Sequence, residues 1–249
     1  MENVVLVTMD GDSARLPKPF TRRLCFSHCL SHTASLRRRV AMLEPSSSLL
    51  GVSDLVPLET GGNGEQLCAD LIAEVQKLGC LGVFLDFEQN YPLLREALQC
   101  IDAGLSGAGI PLYVPERCAG GLSHAVAVCE AAVSGGSFDQ RFRELMIRYG
   151  AGRVAAMLQP VCASFLLPSQ DADGTPLTPE TLDALRTEYG SQVFFSKELC
   201  AKYFTYMDAE NQGHFVLFDD KSTMQEKHRR LARWEIPCFL MARDAELLL

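Results

Sequence analysis

The sequence lacks a long apolar run, a surplus of basic residues and a basic leader segment. No stretch approaches the roughly 20 apolar residues that a membrane-spanning helix requires, so we expect no membrane partner. Aspartate and glutamate together number 31 against 23 lysines and arginines, which gives a formal net charge of −8. This charge disfavours a nucleic-acid partner, since nucleic acids bind basic surfaces. The first residues have neither the basic segment nor the apolar length of a secretory signal.

The ten cysteines form no C-x-x-C motif and have no paired spacing. In a chain of this length without a secretion signal, they indicate free thiols in a reducing compartment, and we expect a cytoplasmic protein. Cys25, His28, Cys29 and His32 would share one face of a helix and could bind zinc there. The same segment also fits a strand or loop with buried thiols beside polar histidines. We expect no cofactor.

The stretch from Gly79 to Glu88 is an apolar run that ends in two acids. Read as a strand, it places Phe84, Asp86 and Glu88 on one face, while the opposite face is wholly apolar. This pattern is typical of a parallel strand that is covered on both sides. Because α/β proteins place their chemistry at the carboxyl ends of such strands, the two acids are the leading candidates for a site.

Strand and helix patterns alternate along most of the chain. Asn63 to Gly79 has helical periodicity with an N-cap at its start and a glycine cap at its end. Residues 45–64 are rich in serine, proline and glycine, which predicts a loop. The alternation, together with a length of 249 residues, predicts an α/β fold, a compact (β/α)8 TIM barrel with a parallel sheet.

The last third of the chain contains a hairpin pattern. Two strand-like runs, 203–207 and 214–218, flank a turn-forming segment at 208–213. We therefore predict a small β-hairpin insertion at about 193–220, before the last helix and strand. The prediction is a single domain over residues 1–249.

Two parts of the sequence resemble glycoside hydrolase family 18, the chitinase-like barrels. The fourth strand of that family reads D-G-h-D-h-D-h-E, where h is apolar, and its four acidic positions fall here on Leu81, Phe84, Asp86 and Glu88. The tail, with Y-F-T-Y-M-D and then G-H-F-V-L-F-D-D-K-S, resembles the end of the spore-germination-type members. The tail match includes these residues: Tyr206, Asp208, His214, Asp219 and Asp220.

The resemblance implies action on a glycan that contains N-acetylglucosamine, such as chitin or peptidoglycan. Glu88 would be the general acid on the glycosidic oxygen, and Asp86 would orient the N-acetyl group, which itself attacks the sugar carbon. The candidate substrate-binding residues lie at strand ends and in the hairpin: Glu130, Gln159, Tyr206, Asp208 and Met241. A spore-associated location is a further expectation.

Three departures from the family pattern leave a second interpretation open. Phe84 replaces the acid that shares a proton with Asp86 in the family, and the stretch from Ala125 to Glu130 lacks the family's tyrosine. The last strand ends at Met241 where the family has tryptophan. The alternative is therefore a barrel that has lost catalysis and serves as a carbohydrate-binding or coat protein. An open acidic cleft would favour hydrolysis, and a pocket filled by apolar side chains would favour the alternative.

Overall fold

The computed structural model describes residues 3–8, 16–42, 44–54, 63–88, 91–168 and 174–249. The strands are β1 (Val4–Thr8), β2 (Arg22–Leu30), β3 (Leu36–Arg38), β4 (Ser48–Ser53), β5 (Gly82–Asp86), β6 (Leu112–Pro115), β7 (Val126–Glu130), β8 (Val154–Leu158), β9 (Cys162–Leu167), β10 (Thr175–Pro176), β11 (Phe194–Ser196), β12 (Ala201–Met207), β13 (Gly213–Phe218) and β14 (Cys238–Met241). The α-helices are α1 (Gly64–Leu78), α2 (Pro92–Gly107), α3 (Phe138–Tyr149), α4 (Pro179–Tyr189) and α5 (Lys221–Arg233). Within the described ranges, every helix is too short or too polar to cross a membrane.

Eight of these strands close into a barrel. Neighbouring strands follow the order β1, β2, β4, β5, β6, β7, β8 and β14, and β14 pairs with β1 again. Every ladder in the ring is parallel, so all eight carboxyl ends open at the same mouth. The predicted TIM barrel is confirmed, and β3 extends β2 as a short antiparallel strand.

Four of the described helices lie between consecutive strands of the ring and pack on its outside: α1 before β5, α2 before β6, α3 before β8 and α5 before β14. The first of them, α1, begins as predicted, because the Asn63 side chain accepts the backbone N–H groups of Glu65 and Gln66 at 3.0 and 3.1 Å. It ends at Gly79, whose φ of 66° is left-handed and suits glycine. The large core between helices and strands includes Phe87, which confirms that the apolar face of this strand points outward to the helices.

β4 is a barrel strand in a stretch that the sequence analysis predicted as a loop. All six of its residues are buried. The Ser48 hydroxyl donates to the Glu44 carbonyl oxygen at 2.8 Å, which satisfies one polar group. At Gly51 a Cβ atom would come within 2.9 Å of Phe26 Cα on β2. The serine and glycine content therefore reflects close approach of two strands, for which glycine is required.

The chain between β8 and α5 forms a second sheet. Its five strands run in the order β10, β9, β13, β12 and β11, and α4 contributes Leu182 and Leu185 to the apolar cluster on one face. The predicted hairpin is present as β12 and β13, which pair Tyr206 with His214. The inserted segment extends beyond the predicted 193–220, because it begins at β9, a strand that the sequence analysis did not identify.

One buried ion pair joins the inserted sheet to the barrel. The Lys227 ammonium on α5 lies 2.5 Å from Asp219 Oδ2, and both side chains are fully buried. The same carboxylate accepts the Val161 N–H at 2.9 Å and the Thr223 hydroxyl at 2.8 Å. Asp219 therefore holds together the segment that enters the sheet, the segment that leaves it and the helix that follows.

We expect Lys227→Met to lower the free energy of unfolding by about 3–5 kcal/mol, because it leaves the Asp219 carboxylate buried without its cation. Urea denaturation measures the change. Lys221→Met is the matched control, since Lys221 is exposed at the first position of the same helix, and it should cost less than about 0.5 kcal/mol. Equally small losses in both variants would contradict the role assigned to the pair.

We further expect the barrel and the inserted sheet to unfold together, as the predicted single domain requires. Trp234, the only tryptophan, follows α5 and reports on the barrel, whereas far-ultraviolet circular dichroism reports on both parts. The two urea transitions should coincide. A change in circular dichroism that precedes the change in fluorescence would show that the inserted sheet unfolds separately.

Candidate functional site

An open cavity of about 1040 Å³ lies at the mouth of the barrel. This volume is at the upper end of the roughly 300–1,000 Å³ that is usual for small-molecule sites. Its lining comes from strands that are far apart in the chain, including Ser53 of β4, Asp86 of β5 and Glu130 of β7. They meet because parallel closure brings the strand ends together.

Five of the seven predicted site residues line this cavity, and they are Asp86, Glu88, Glu130, Gln159 and Met241. Asp86, Glu130 and Met241 are the last residues of β5, β7 and β14. Glu88 and Gln159 lie within two residues after the ends of β5 and β8. Their roles in catalysis and binding stay predictions, but the structure brings them to one place.

Asp86 forms an ion pair with Arg117, a residue that was not predicted to belong to the site. Arg117 Nη2 donates to Asp86 Oδ1 at 2.8 Å, and Arg117 Nε donates to the Phe87 carbonyl oxygen at 3.3 Å. Arg117 follows β6 in a short 3₁₀ helix, Glu116–Cys118. Glu116 and Arg117 directly follow β6, and residues at the carboxyl end of a barrel strand face its mouth. Their position was therefore the sequence signal that could have identified Arg117 as a site residue.

Glu88 is positioned through its backbone. Its N–H donates at 2.8 Å to Oδ1 of Asp54, a residue only 2% exposed directly after β4. The Glu88 side chain itself is exposed and lines the cavity. Asp54 was not predicted as a site residue, because residues 45–64 were predicted to form a loop and no strand end was expected there beside β5.

Aromatic rings fill the barrel beneath the two acids. Phe84 is 3% exposed, and its ring centroid lies 5.8 Å from that of Phe26 and 5.4 Å from that of Phe239. Tyr113 extends the group, 5.2 Å from Phe239. Edge-to-face contacts of this kind are favourable beyond the burial of the rings. The cavity is therefore open at the mouth but has an apolar floor where the family pattern has an acid.

The cavity is less acidic than the chain as a whole. Its charged lining residues are five arginines and four acids: Arg39, Arg117, Arg141, Arg148, Arg243, Asp86, Glu88, Glu116 and Glu130. Glu116 bridges two of the arginines, at 3.1 Å from Arg141 and 3.4 Å from Arg148. This mixture of donors and acceptors suits a neutral ligand with many hydroxyl and amide groups.

Tyr206 and Asp208 lie in the inserted sheet and are not among the described residues that line the cavity. Tyr206 is stacked between Tyr189 and His214, at centroid distances of 4.2 and 4.5 Å. Asp208 accepts from His214 Nε2 at 2.8 Å, and this bond together with the Gln212 N–H lowers the pKa of Asp208. Both residues stabilise the hairpin, and a role in ligand binding stays a prediction for them.

The cysteine and histidine segment is not helical. Cys25, His28 and Cys29 belong to β2, which bulges between the first two of them, so they do not share a helix face. His28 Nδ1 contacts the Ser27 hydroxyl at 2.9 Å, and burial lowers the pKa of His28. Within the described ranges, no group of three or more His, Cys, Asp or Glu side chains could hold a metal ion.

Comparison with known proteins identifies the fold. No protein-family model matches the chain, and no curated protein matches it in sequence. A chitinase from Chromobacterium violaceum is 14% identical with a TM-score of 0.60, over 95% of this chain and 92% of that chain. The spore cortex-lytic enzyme SleL of Bacillus megaterium is 13% identical with a TM-score of 0.60, over 98% of this chain and 72% of that chain.

A third solved structure has the same fold and contains a ligand. It is a mutant of a plant class V chitinase from Cycas revoluta in complex with (GlcNAc)3, 15% identical with a TM-score of 0.59, over 98% of this chain and 97% of that chain. At these identities the likeness shows the fold. The resemblance to family 18 barrels is thus confirmed at the level of the fold.

We expect Phe84→Ala to lower the free energy of unfolding by about 3–5 kcal/mol, because a buried ring is replaced by a cavity. Urea denaturation measures the loss. Phe194→Ala, which removes a ring that is 46% exposed in the inserted sheet, is the control and should cost about 1 kcal/mol. If Phe84→Ala lowered the free energy of unfolding no more than Phe194→Ala, the assignment of Phe84 to a packed apolar floor would be contradicted.

Proposed function

We propose that the protein binds a glycan containing N-acetylglucosamine at the mouth of the barrel and hydrolyses it, with Glu88 as general acid. The observation that supports this most directly is that Asp86 and Glu88 both line the open cavity of about 1040 Å³. Solved structures with this fold include a chitinase and a spore cortex-lytic enzyme, and one contains (GlcNAc)3. These neighbours support the ligand class.

The positions of the two acids fit different roles. Glu88, exposed to the cavity and anchored through its N–H to Asp54, donates its proton to the glycosidic oxygen as that bond breaks. Asp86, oriented by Arg117, accepts a hydrogen bond from the acetamide N–H of the sugar. The acetamide oxygen then attacks the sugar carbon, and water opens the resulting ring while the Glu88 carboxylate takes up a proton.

The remaining cavity residues contact the ligand without taking part in proton transfer. Glu130 and Gln159 offer a carboxylate and an amide to sugar hydroxyl groups. Met241 offers an apolar, adaptable surface at the end of the last strand. All three lie at the mouth, within reach of a ligand that occupies the cavity.

A second candidate function is glycan binding without hydrolysis, as a carbohydrate-binding or coat protein. The buried Phe84 favours it, because no acid can share a proton with Asp86 at that position. Both candidates place the ligand at the same mouth and differ only in turnover.

We also propose a cytoplasmic protein that is associated with spores. The free cysteines are consistent with a reducing compartment. One of the solved structures with this fold is a spore cortex-lytic enzyme, which supports the association.

Calorimetry and mass spectrometry with chito-oligosaccharides and muropeptides test the proposal. We expect the wild type to bind and cleave one of these classes, and Glu88→Gln to bind within about threefold but cleave at least about 100-fold more slowly, because the proton donor is lost. Glu96→Gln is the control, since Glu96 is exposed on α2 outside the cavity lining. It should retain both binding and cleavage.

Each other outcome is informative. Binding by the wild type without products would favour the second candidate. Cleavage by Glu88→Gln at the wild-type rate would contradict the role of Glu88. Failure of the wild type to bind either class at millimolar concentration would contradict both candidates.

A further inference from the structure

Two cysteine sulfurs meet where α1 packs against α2. Sγ of Cys68 on α1 lies 2.6 Å from Sγ of Cys100 on α2, and both residues are free thiols. A disulfide bond is about 2.05 Å long, so the two sulfurs are only slightly further apart than bonded atoms. The two helices therefore already hold the thiols in a position from which a bond can form with little movement.

Close contacts on either side fix this approach of the helices. A Cβ atom on Gly104 of α2 would come within 2.5 Å of Ile72 Cδ1 on α1. A Cβ atom on Gly64 of α1 would come within 3.4 Å of Ala97 Cβ on α2. The sulfur pair lies between these two contacts, about one helical turn from each. The separation of the sulfurs is thus set by packing on both sides.

The two thiols differ in exposure. Cys68 is 4% exposed, and burial together with the contact to Cys100 raises its pKa to about 12. Cys100 is exposed on the surface of α2. An oxidant in solution therefore reacts with Cys100 first, and the buried Cys68 is the second thiol, which then forms the disulfide. An accessible thiol beside a second thiol is the usual arrangement of a reversible oxidation site.

We propose that Cys68 and Cys100 form a reversible oxidation site for hydrogen peroxide. The Cys100 thiolate attacks one peroxide oxygen, the O–O bond breaks, and the leaving hydroxide takes up a proton as water, which leaves Cys100 as a sulfenic acid. The Cys68 sulfur then attacks the Cys100 sulfur, and hydroxide leaves with the Cys68 proton as a second water. The two thiols lose two electrons and the peroxide gains them.

The disulfide would join the helices on either side of the strand that ends in the acid pair. α1 precedes β5 and α2 follows it, so the bond closes a loop that contains Asp86 and Glu88. Closing such a loop removes chain entropy from the unfolded state and stabilises the folded one. Oxidation therefore stabilises the part of the barrel that carries the candidate site. The chemistry of the thiols does not depend on the proposed function.

Peptide mapping after treatment with hydrogen peroxide tests the proposal. Complete tryptic cleavage gives fragments 40–77 and 96–117, in which Cys68 and Cys100 respectively are the only cysteines. We expect a cross-linked pair of these fragments after oxidation and blocking of the remaining thiols with iodoacetamide, and its loss after dithiothreitol. The oxidised protein should also have a Tm several degrees higher than the reduced protein.

The variants Cys100→Ser and Cys68→Ala should each abolish the cross-link. Cys100→Ser alters an exposed position, so its fold should be intact, and Cys68 in that variant should remain reduced. The proposal would be overturned if wild-type Cys100 were oxidised to sulfinic acid while Cys68 stayed reduced. It would also be overturned if both fragments remained fully alkylated while other cysteines in the same map were oxidised.

Discussion

Closure of the ring through β1 is the constraint on which the rest of the structure depends. β1 pairs with β2, where Val5 lies opposite Arg22, and with β14, where Val4 lies opposite Cys238. Because every ladder in the ring is parallel, each strand delivers its last residues to one mouth. The interior below is filled by side chains such as Phe84, so the open cavity lies at that mouth. Position in the ring, more than any single motif, defines the candidate site.

The fold was predictable wherever local pattern and tertiary environment agree. α1 has the bounds that its N-cap Asn63 and its glycine cap Gly79 predict, and β5 has the two faces that its apolar run predicts. The prediction was wrong at β4, because a strand that packs against a neighbouring backbone needs glycine at Gly51, and glycine and serine locally favour turns. β9 was missed for a related reason, since its pairing with β13 is long-range and leaves little local periodicity.

The candidate site was predictable in its strand-end acids and not in its supporting contacts. Asp86 and Glu88 stand out because they end an apolar strand, and α/β barrels place their sites at the carboxyl ends of the strands. Arg117 and Asp54, which hold that strand end, come from other strand ends, and nothing in their local sequence indicates the partner. The hairpin residue Asp208 shows the converse, because a family match identified it while its structural contacts lie within the inserted sheet.

The proposed function requires an N-acetylglucosamine glycan to bind at the barrel mouth against Asp86 and Glu88. The most direct test is a crystal structure of the protein with an N-acetylglucosamine tetramer at saturating concentration. We expect a sugar at the mouth, with its acetamide group within hydrogen-bonding distance of Asp86 and its glycosidic oxygen near Glu88. A tetramer bound only on the inserted sheet, or an empty mouth in crystals that leave it accessible, would contradict the proposed function.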